Sequence, residues 1–153
     1  MACVFCGILQ GAQPASVVYE DANVVAFMDI RPVRPGQALV IPRTHIDHFT
    51  DLPDDLAVEV WLVGQRLSRA MRSVYHPRRV GMVVHGFGVN HAHLNILPLH
   101  HAWDITSAQN AYLDDGTIRF RWDAVALAAR AELDEEATRI RSALKMTIPG
   151  PDL

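Results

Sequence analysis

Two histidines and an asparagine alternate with apolar residues in the segment His91-Ala-His93-Leu-Asn95-Ile-Leu-Pro98. Side chains alternate between the two faces of a strand, so the three polar groups would share one face while the apolar ones pack on the core. A neutral imidazole is both a nucleophile and a proton carrier near neutral pH, which suits phosphoryl chemistry. Taken alone, the pattern also fits polar side chains that merely face water.

A loop with two glycines, His85-Gly86-Phe-Gly88-Val-Asn90, directly precedes this segment. Successive backbone N–H groups in such a loop can face an anion. The loop could therefore present backbone amides to an anion beside the histidines.

The only cysteines are Cys3 and Cys6, which are separated by two residues. In a reducing compartment this spacing is more typical of metal binding or redox work than of a structural disulfide. The pair alone fits metal ligands, a redox pair or two small buried thiols. A redox pair would predict a reactive thiol.

Strand patterns dominate the first part of the chain. Residues 16–20 and 24–30 are rich in β-formers and flank a polar turn, which predicts a hairpin. Residues 37–42 form a further predicted strand after the turn-forming Pro35-Gly36. Residues 80–84 predict a short buried strand and residues 91–97 the strand that carries the histidines. These strands must position the reactive side chains.

Two amphipathic helices are predicted from apolar residues at helical spacing. The first follows a Thr50-Asp51 N-cap and ends at His76-Pro77, and the second spans roughly residues 123–144. In the second, Glu135 and Arg139 are spaced to form an ion pair. The apolar positions are Leu56, Val60, Val63, Leu67 and Val74 in the first helix and Leu133, Ala137, Ile140 and Leu144 in the second.

Strands, a helix and further strands predict an α+β domain on an antiparallel sheet. We expect residues 1–110 to form the main domain and residues 111–153 an extension whose one helix packs on the same domain. The chain has 153 residues, of which 50% are hydrophobic and 20% are charged, as in folded soluble proteins.

The formal net charge is -3 and no block of Lys or Arg occurs, so a nucleic acid is not expected as the main partner. The sequence contains neither a signal-peptide pattern nor an apolar run of about 20 residues, the length that spans a membrane. It predicts a cytoplasmic protein with no membrane partner.

The chain resembles the histidine triad (HIT) family, whose motif alternates three histidines with apolar residues. Here the motif is His91-Ala-His93-Leu-Asn95-Ile-Leu-Pro98, with Asn at the third position. Upstream segments fall in the family's order and spacing: Cys3-Val-Phe-Cys6-Gly-Ile-Leu, Val-Tyr-Glu-Asp, Ala-Phe27-Met-Asp29-Ile30, and Leu-Val-Ile-Pro-Arg-Thr-His45-Ile. The resemblance covers roughly residues 1–100.

The resemblance implies roles for individual residues. His93 would be the nucleophile and form a nucleotidyl-imidazole intermediate. Asp29 would hold the ribose hydroxyls, although a plain turn residue is the alternative there. Phe5, Phe27 and Ile30 would surround the base and sugar, with core packing as the alternative for all three.

Asn95 and the glycine loop both depart from the family pattern. The Asn95 amide could donate to a phosphate oxygen but could not carry a proton. Phosphate contacts would then depend on backbone amides around Gly88 and on Asn90. The transferase and phosphorylase branches of the superfamily have Gln at the third position, so hydrolysis and nucleotidyl transfer both stay open.

The resemblance also implies a zinc site made by Cys3, Cys6, His45 and His91. Two thiolates and two imidazoles form a closed tetrahedral set, which favours structural rather than catalytic zinc. Such a site would attach the N-terminus to the sheet near His93.

The expected function is that of a nucleotide hydrolase or nucleotidyl transferase acting on the α-phosphate of a purine nucleotide derivative. Hydrolysis is favoured because water is always available and the chain is short. The alternative is a zinc-stabilised nucleotide-binding or scaffold protein with vestigial catalysis. The resemblance also implies a five-stranded sheet and a homodimer formed through the long helix and an edge strand.

Overall fold

A five-stranded antiparallel sheet with the strand order β1-β2-β3-β5-β4 forms the centre of the fold. The computed structural model describes residues 3–106, 111–120 and 125–147. The elements in chain order are α1 (Val4–Leu9), β1 (Val17–Glu20), β2 (Val24–Met28), β3 (Ala38–Pro42), α2 (Asp54–Tyr75), β4 (Arg79–Val83), β5 (Leu94–Leu99), β6 (Ala111–Asp114), β7 (Thr117–Phe120) and α3 (Arg130–Thr147).

The predicted hairpin is present as β1 and β2, which pair antiparallel. Its turn is closed by Asp21, whose Oδ1 accepts hydrogen bonds from the backbone N–H groups of Asn23 and Val24 at 2.9 and 2.7 Å. This side chain satisfies two backbone donors that the strands leave free. The hairpin is therefore specified locally by the polar turn.

The turn before β3 depends on Gly36, which has a φ of 92°. A side chain is disfavoured at this angle, and a Cβ atom here would also collide with the Tyr75 ring. The predicted Pro35-Gly36 turn is thus confirmed, and it brings the chain against the end of α2.

Helix α2 begins at Asp54, with Pro53 as its N-cap, and the predicted Thr50-Asp51 N-cap is wrong. Those two residues lie in a separate 3-10 turn, Phe49–Asp51. The cause is Pro53, because the residue before a proline is kept out of the helical region, and Leu52 is extended at ψ 137°. The predicted end is confirmed, since His76 caps the helix in the left-handed conformation.

Strand β4 is a half-exposed edge strand rather than the predicted buried strand. Among the described strands it pairs only with β5. Its apolar composition is explained by packing, because Val80 and Met82 contact the core from the sheet edge.

Strand β5 begins at Leu94, so His91 and His93 precede it and the predicted strand over residues 91–97 starts too early. The pairing with β3 ends at Val40 and Leu94, and the pairing with β4 ends at Val83 and Asn95. Residues 91–93 consequently have no ladder partners among the described strands. The N–H of Ala92 bonds instead to the carbonyl of Ile46 at 2.6 Å.

Helix α3 begins at Arg130, later than predicted, while residues 123–124 lie outside the described residues. Residues 125–129 are irregular because the Ala128 N–H bonds to the Ile30 carbonyl at 3.0 Å rather than to a helical carbonyl. Arg139 pairs with Glu136 at 3.3 Å rather than with the predicted Glu135. The predicted apolar face is confirmed as buried: Leu133, Ala137, Ile140 and Leu144.

A second hairpin, β6 and β7, was missed by the sequence interpretation. Its turn contains Asp115 and Gly116, both at positive φ (46° and 73°). An Asp-Gly pair between short β-rich runs is the usual signature of such a turn, so the signal was available.

Two apolar clusters lie on opposite faces of the sheet. Helices α2 and α3 cover one face, where Gly64 allows α2 to approach Leu94 and Met82 so closely that a Cβ would lie 2.7 Å from either side chain. The second cluster, on the other face, contains Phe5, Phe27 and Leu39. No helix in the described part of the chain is long and apolar enough to cross a membrane.

Candidate functional site

His93 lies on the sheet face opposite the long helices, with 5% of its surface exposed. Its Nδ1 is 2.7 Å from the carbonyl oxygen of His91. A carbonyl only accepts hydrogen bonds, so Nδ1 must carry the proton of the neutral ring and Nε2 keeps its lone pair. The backbone therefore selects the tautomer in which Nε2 can act as a nucleophile.

The charge state of His93 is set by burial and by its neighbours. Burial lowers its pKa, and repulsion from His85 acts in the same direction. The hydrogen bond to the His91 carbonyl and attraction to Asp29 oppose this change without cancelling it. A lowered pKa keeps the imidazole neutral, which is its nucleophilic form.

Asp29 follows β2 and is held from two sides. Its Oδ1 accepts the backbone N–H of Arg31 at 2.8 Å, and its Oδ2 accepts Nε2 of Gln37 at 2.7 Å. Burial raises the pKa of the carboxyl group, while these hydrogen bonds and the nearby His93 limit the change. If Asp29 were only a turn residue, its hydrogen bond with the Arg31 N–H would be explained, but its hydrogen bond with Gln37 would not.

Gln37 was not identified from the sequence. It is 6% exposed, and its Oε1 accepts the backbone N–H of Val33 at 2.8 Å. With its oxygen engaged in this way, the amide donates from Nε2 to Oδ2 of Asp29. A polar residue at the start of an apolar strand was the only signal in the sequence.

Aromatic side chains surround the imidazoles. Phe5 packs edge-on against Phe27 and His93, both at ring-centre distances of 5.4 Å, and against His91 at 5.8 Å. Both phenylalanines are buried, whereas Ile30 is 50% exposed. Phe5 and Phe27 thus belong to the apolar cluster beside His93, and Ile30 stays accessible to a ligand.

The glycine loop, residues 85–90, lies between β4 and the histidines and is largely exposed. Gly86 has a φ of 72°, and a Cβ on Gly88 would meet no atom within 4 Å. Asn90 is exposed as well. From the sequence, His85 could either approach the phosphates or be a loop residue without a role. Its ring centre lies 6.1 Å from that of His93.

Asn95 is 6% exposed and faces the edge strand. Its Nδ2 donates a hydrogen bond to the Val83 carbonyl at 3.3 Å, leaving one N–H of the amide uncommitted by this contact. His91, His93 and Asn95 are all buried, so the alternative that they merely face water is wrong.

Cys3, Cys6, His45 and His91 form a cluster in which one ligand atom from each residue lies within 4.8 Å of all the others. Nδ1 of His45 is 3.3 Å from the Cys6 sulfur, and Nδ1 of His91 is 3.6 and 3.7 Å from the two sulfurs. These four side chains come from α1, the loop after β3 and the segment before β5. The donor set is one that a tetrahedral metal ion could use.

His91 is oriented for such a role by the backbone. Its Nε2 is 2.9 Å from the Pro42 carbonyl, so Nε2 carries the proton and Nδ1 presents its lone pair to the sulfurs. Burial lowers the pKa of His91, which also favours the neutral ring. A metal-binding histidine usually has its second nitrogen bonded to such an acceptor.

A cavity of about 360 Å³ lies between the loop around Pro32 and the start of α3. None of the predicted site residues lines it, and its lining includes Glu132, Glu135 and Glu136. These carboxylates would repel a phosphate group. The cavity is therefore not a candidate nucleotide site.

An ion pair between Arg34 and the buried Asp104, which the sequence did not reveal, holds the chain after β5. Asp104 accepts hydrogen bonds from Arg34 at 2.8 and 3.0 Å and from the backbone N–H groups of His100 and His101. Burial alone would raise the Asp104 pKa, but these bonds outweigh it and lower the pKa to about 2. The backbone after β5 is thereby tied to the turn before β3.

Comparison with known proteins finds a match between residues 10–102 and the model of the HIT domain family. The Hit protein of Bacillus subtilis is 37% identical over 101 residues, which cover 63% of this chain and 70% of that protein. An adenosine 5'-monophosphoramidase of Saccharomyces cerevisiae is 32% identical over 99 residues, covering 63% of this chain and 62% of that enzyme.

Among solved structures, a Zn-bound histidine triad family protein from Mycobacterium smegmatis has a similar fold. It superposes with a TM-score of 0.71 at 30% identity, covering 95% of each chain. The expected five-stranded antiparallel sheet of a HIT-like α+β fold is confirmed by these similarities and by the strand order.

Proposed function

The chain belongs to the histidine triad (HIT) family, and from that premise we propose that it is a nucleotide hydrolase or nucleotidyl transferase. His93 attacks the α-phosphate of a purine nucleotide derivative, such as a phosphoramidate or dinucleoside polyphosphate, and forms a nucleotidyl-histidine intermediate. The observation that carries the proposal is the hydrogen bond from Nδ1 of His93 to the His91 carbonyl, because it leaves Nε2 free to attack.

The ribose would bind at Asp29. Its carboxylate is held by Gln37 and by the Arg31 N–H, so it can accept hydrogen bonds from a diol without reorganising. Ile30, exposed beside Asp29, would contact the base or sugar, and buried Phe5 and Phe27 would support this wall.

The phosphate oxygens would bind the glycine loop and Asn95. Backbone N–H groups around Gly88 and the Asn90 amide lie in an exposed segment with space for an anion. The second N–H of the Asn95 amide is available to a phosphate oxygen. Asn95 would act as a hydrogen-bond donor to the reacting phosphate.

Zinc would bind Cys3, Cys6, His45 and His91. The residues fit the ion because Nδ1 of His91 faces both thiols with its lone pair while Nε2 is bonded to a carbonyl. With four protein ligands the ion would have a structural role. It would hold α1 and the loop after β3 against the segment that carries His93.

A homodimer is the expected assembly. Val58, Trp61 and Leu62 on one side of α2 are 57, 49 and 46% exposed, an arrangement typical of an interface. Strand β4 offers a free edge beside this helix among the described strands. Cys3 and Cys6 form no disulfide, which suits a reducing compartment, so we propose a cytoplasmic location.

The proposal is tested by measuring AMP release from adenosine 5'-phosphoramidate and from diadenosine polyphosphates. The His93→Ala variant should lose at least about a thousand-fold in turnover while still binding AMP. The matched control is His76→Asn, at an exposed left-handed position that asparagine tolerates. Equal turnover by the wild type and the His93→Ala variant would exclude His93 as the nucleophile.

The second candidate is a zinc-stabilised nucleotide-binding or scaffold protein with vestigial catalysis. It is favoured by the Asn95 amide, which cannot carry a proton and is partly occupied by the Val83 carbonyl. AMP binding with no release from any compound, even with inorganic phosphate added as an acceptor, would support this candidate over the enzyme.

A further inference from the structure

The ring of His85 lies beside that of His93, with the ring centres 6.1 Å apart and the planes at 80°. His85 is exposed at the start of the glycine loop, whereas His93 is buried behind it. No hydrogen bond joins the His85 ring to another of the described residues, 3–106, 111–120 and 125–147. Two imidazoles with different surroundings therefore face the same space.

Cleavage of a phosphoramidate needs a proton source in addition to a nucleophile. An amine leaves phosphorus poorly as an anion, so a proton must reach its nitrogen as the bond breaks. Asn95, at the third motif position, cannot supply it. Asp29 is also unsuitable, because both of its oxygens accept hydrogen bonds from the protein.

We propose that His85 is the general acid of this reaction and donates the proton that the leaving group requires. The inference rests on the proposed function, since it concerns the step in which His93 attacks. It assigns a catalytic role to a loop residue outside the alternating motif.

The proposed step joins attack by His93 to proton transfer from His85. Nε2 of His93 forms a bond to phosphorus while the bond from phosphorus to the amine breaks, and its electron pair stays on the amine. The His85 imidazolium gives its proton to that nitrogen, so neutral ammonia leaves. Water then attacks phosphorus, the electron pair returns to Nε2 of His93, and His85 takes a proton from the water.

The distance between the His85 and His93 rings is compatible with a proton donor and a nucleophile that act on the same phosphate. An atom leaving in line with the attack lies about 5 Å from Nε2, because the attacking atom starts about 3–3.5 Å from phosphorus and the breaking bond adds about 1.7 Å. The centre of the His85 ring lies 6.1 Å from that of His93, a separation of the same order as that distance.

The test compares two leaving groups at the same α-phosphate. One substrate is adenosine 5'-phosphoramidate, whose amine needs a proton, and the other is the p-nitrophenyl ester of AMP, whose phenolate leaves without one. Leaving-group release is measured in a single turnover with the protein in excess, so only the first step contributes. The variant is His85→Gln, which keeps a hydrogen-bond donor but cannot transfer a proton.

We expect His85→Gln to slow ammonia release by about 100-fold or more and to leave p-nitrophenol release nearly unchanged. Added imidazole should restore part of the ammonia release in His85→Ala, because it can enter the space and carry the proton. The His76→Asn control should behave like the wild type with both substrates. A melting curve for each variant shows whether the protein is still folded, so that the loss of the proton donor can be distinguished from unfolding.

An equal loss with both substrates would mean that His85 binds the phosphate or supports the loop, and it would overturn the proposal. No loss with either substrate would overturn it as well. In both cases the proposed function would stand, because the wild type remains active. A wild type inactive with both substrates would overturn the proposed function, and the role of His85 with it.

Discussion

Gln37 fixes the orientation of Asp29: its amide accepts the Val33 N–H through Oε1 and donates to Oδ2 of Asp29 through Nε2, at 2.8 and 2.7 Å. The carboxylate at the end of β2 is thereby positioned by the residue that leads into β3. An acidic side chain held in this way can discriminate a ligand by its hydroxyl groups, because its oriented oxygens can accept hydrogen bonds that an analogue without hydroxyls cannot donate.

The first prediction concerns ribose recognition. Asp29→Asn should lower kcat/KM for adenosine 5'-phosphoramidate by about ten- to hundred-fold, the effect of losing a hydrogen bond to a charged group. The 2',3'-dideoxy analogue should be affected little, because it lacks the hydroxyls. Steady-state kinetics with both compounds measure the difference, and Asp51→Asn, an exposed carboxylate, is the control. An equal loss with both compounds would argue against ribose contact.

The second prediction concerns zinc. The purified protein should contain one zinc per chain by elemental analysis, and a chelator should lower its melting temperature by about 5–15 °C. His45→Ala should reduce the zinc content, whereas His48→Ala, three residues away and exposed, should leave it unchanged. A full zinc content in His45→Ala would remove this histidine from the ligand set. A reactive Cys6 thiol in metal-free protein as purified would instead favour the redox interpretation.

The third prediction concerns stability at low pH. The Asp104 pKa is lowered from 3.8 to about 2, so its ionisation stabilises the fold above pH 4 and this contribution is lost as the pH falls toward 2. At pH 7, Asp104→Asn should reduce the free energy of unfolding by about 2 kcal/mol. Urea titrations should show the difference from wild type shrinking below pH 4. A difference that grows there would contradict the assignment, and Asp51→Asn should be nearly neutral throughout.

The fourth prediction concerns the C-terminal segment, which we propose to be part of the same cooperative unit. Ile140 is fully buried in the cluster shared with α2 and the sheet. Ile140→Ala should cost about 2–5 kcal/mol, the usual loss for such a truncation. Met146→Ala, at a position 87% exposed, should cost almost nothing. One urea transition is expected in each case, and a separate transition for α3 would indicate an independent unit.

The apolar periodicities of this sequence determined its main elements. The 3.6-residue pattern predicted α2 and the buried face of α3, and the alternating runs predicted the strands, because these patterns depend on which side chains each element must bury. The predicted helix boundaries were less accurate where a residue outside the apolar pattern changed the position at which the helix starts. Pro53 moved the start of α2, and the Ala128 hydrogen bond delayed the start of α3. The turn at Asp115-Gly116 had a local signal that was not used.

The family motif named the candidate site residues, but only the tertiary structure decided how they meet. The alternation of side chains along a strand predicted that His91 and His93 lie in a paired strand. The pairings of β5 with β3 and with β4, however, do not extend to these residues. Which nitrogen of each ring carries a proton depends on the His91 and Pro42 carbonyls, and no residue pattern shows that. The contacts of His85 with His93 and of Gln37 with Asp29 likewise depend on loops folding back, because hydrogen bonds and ring contacts are set by distance in space.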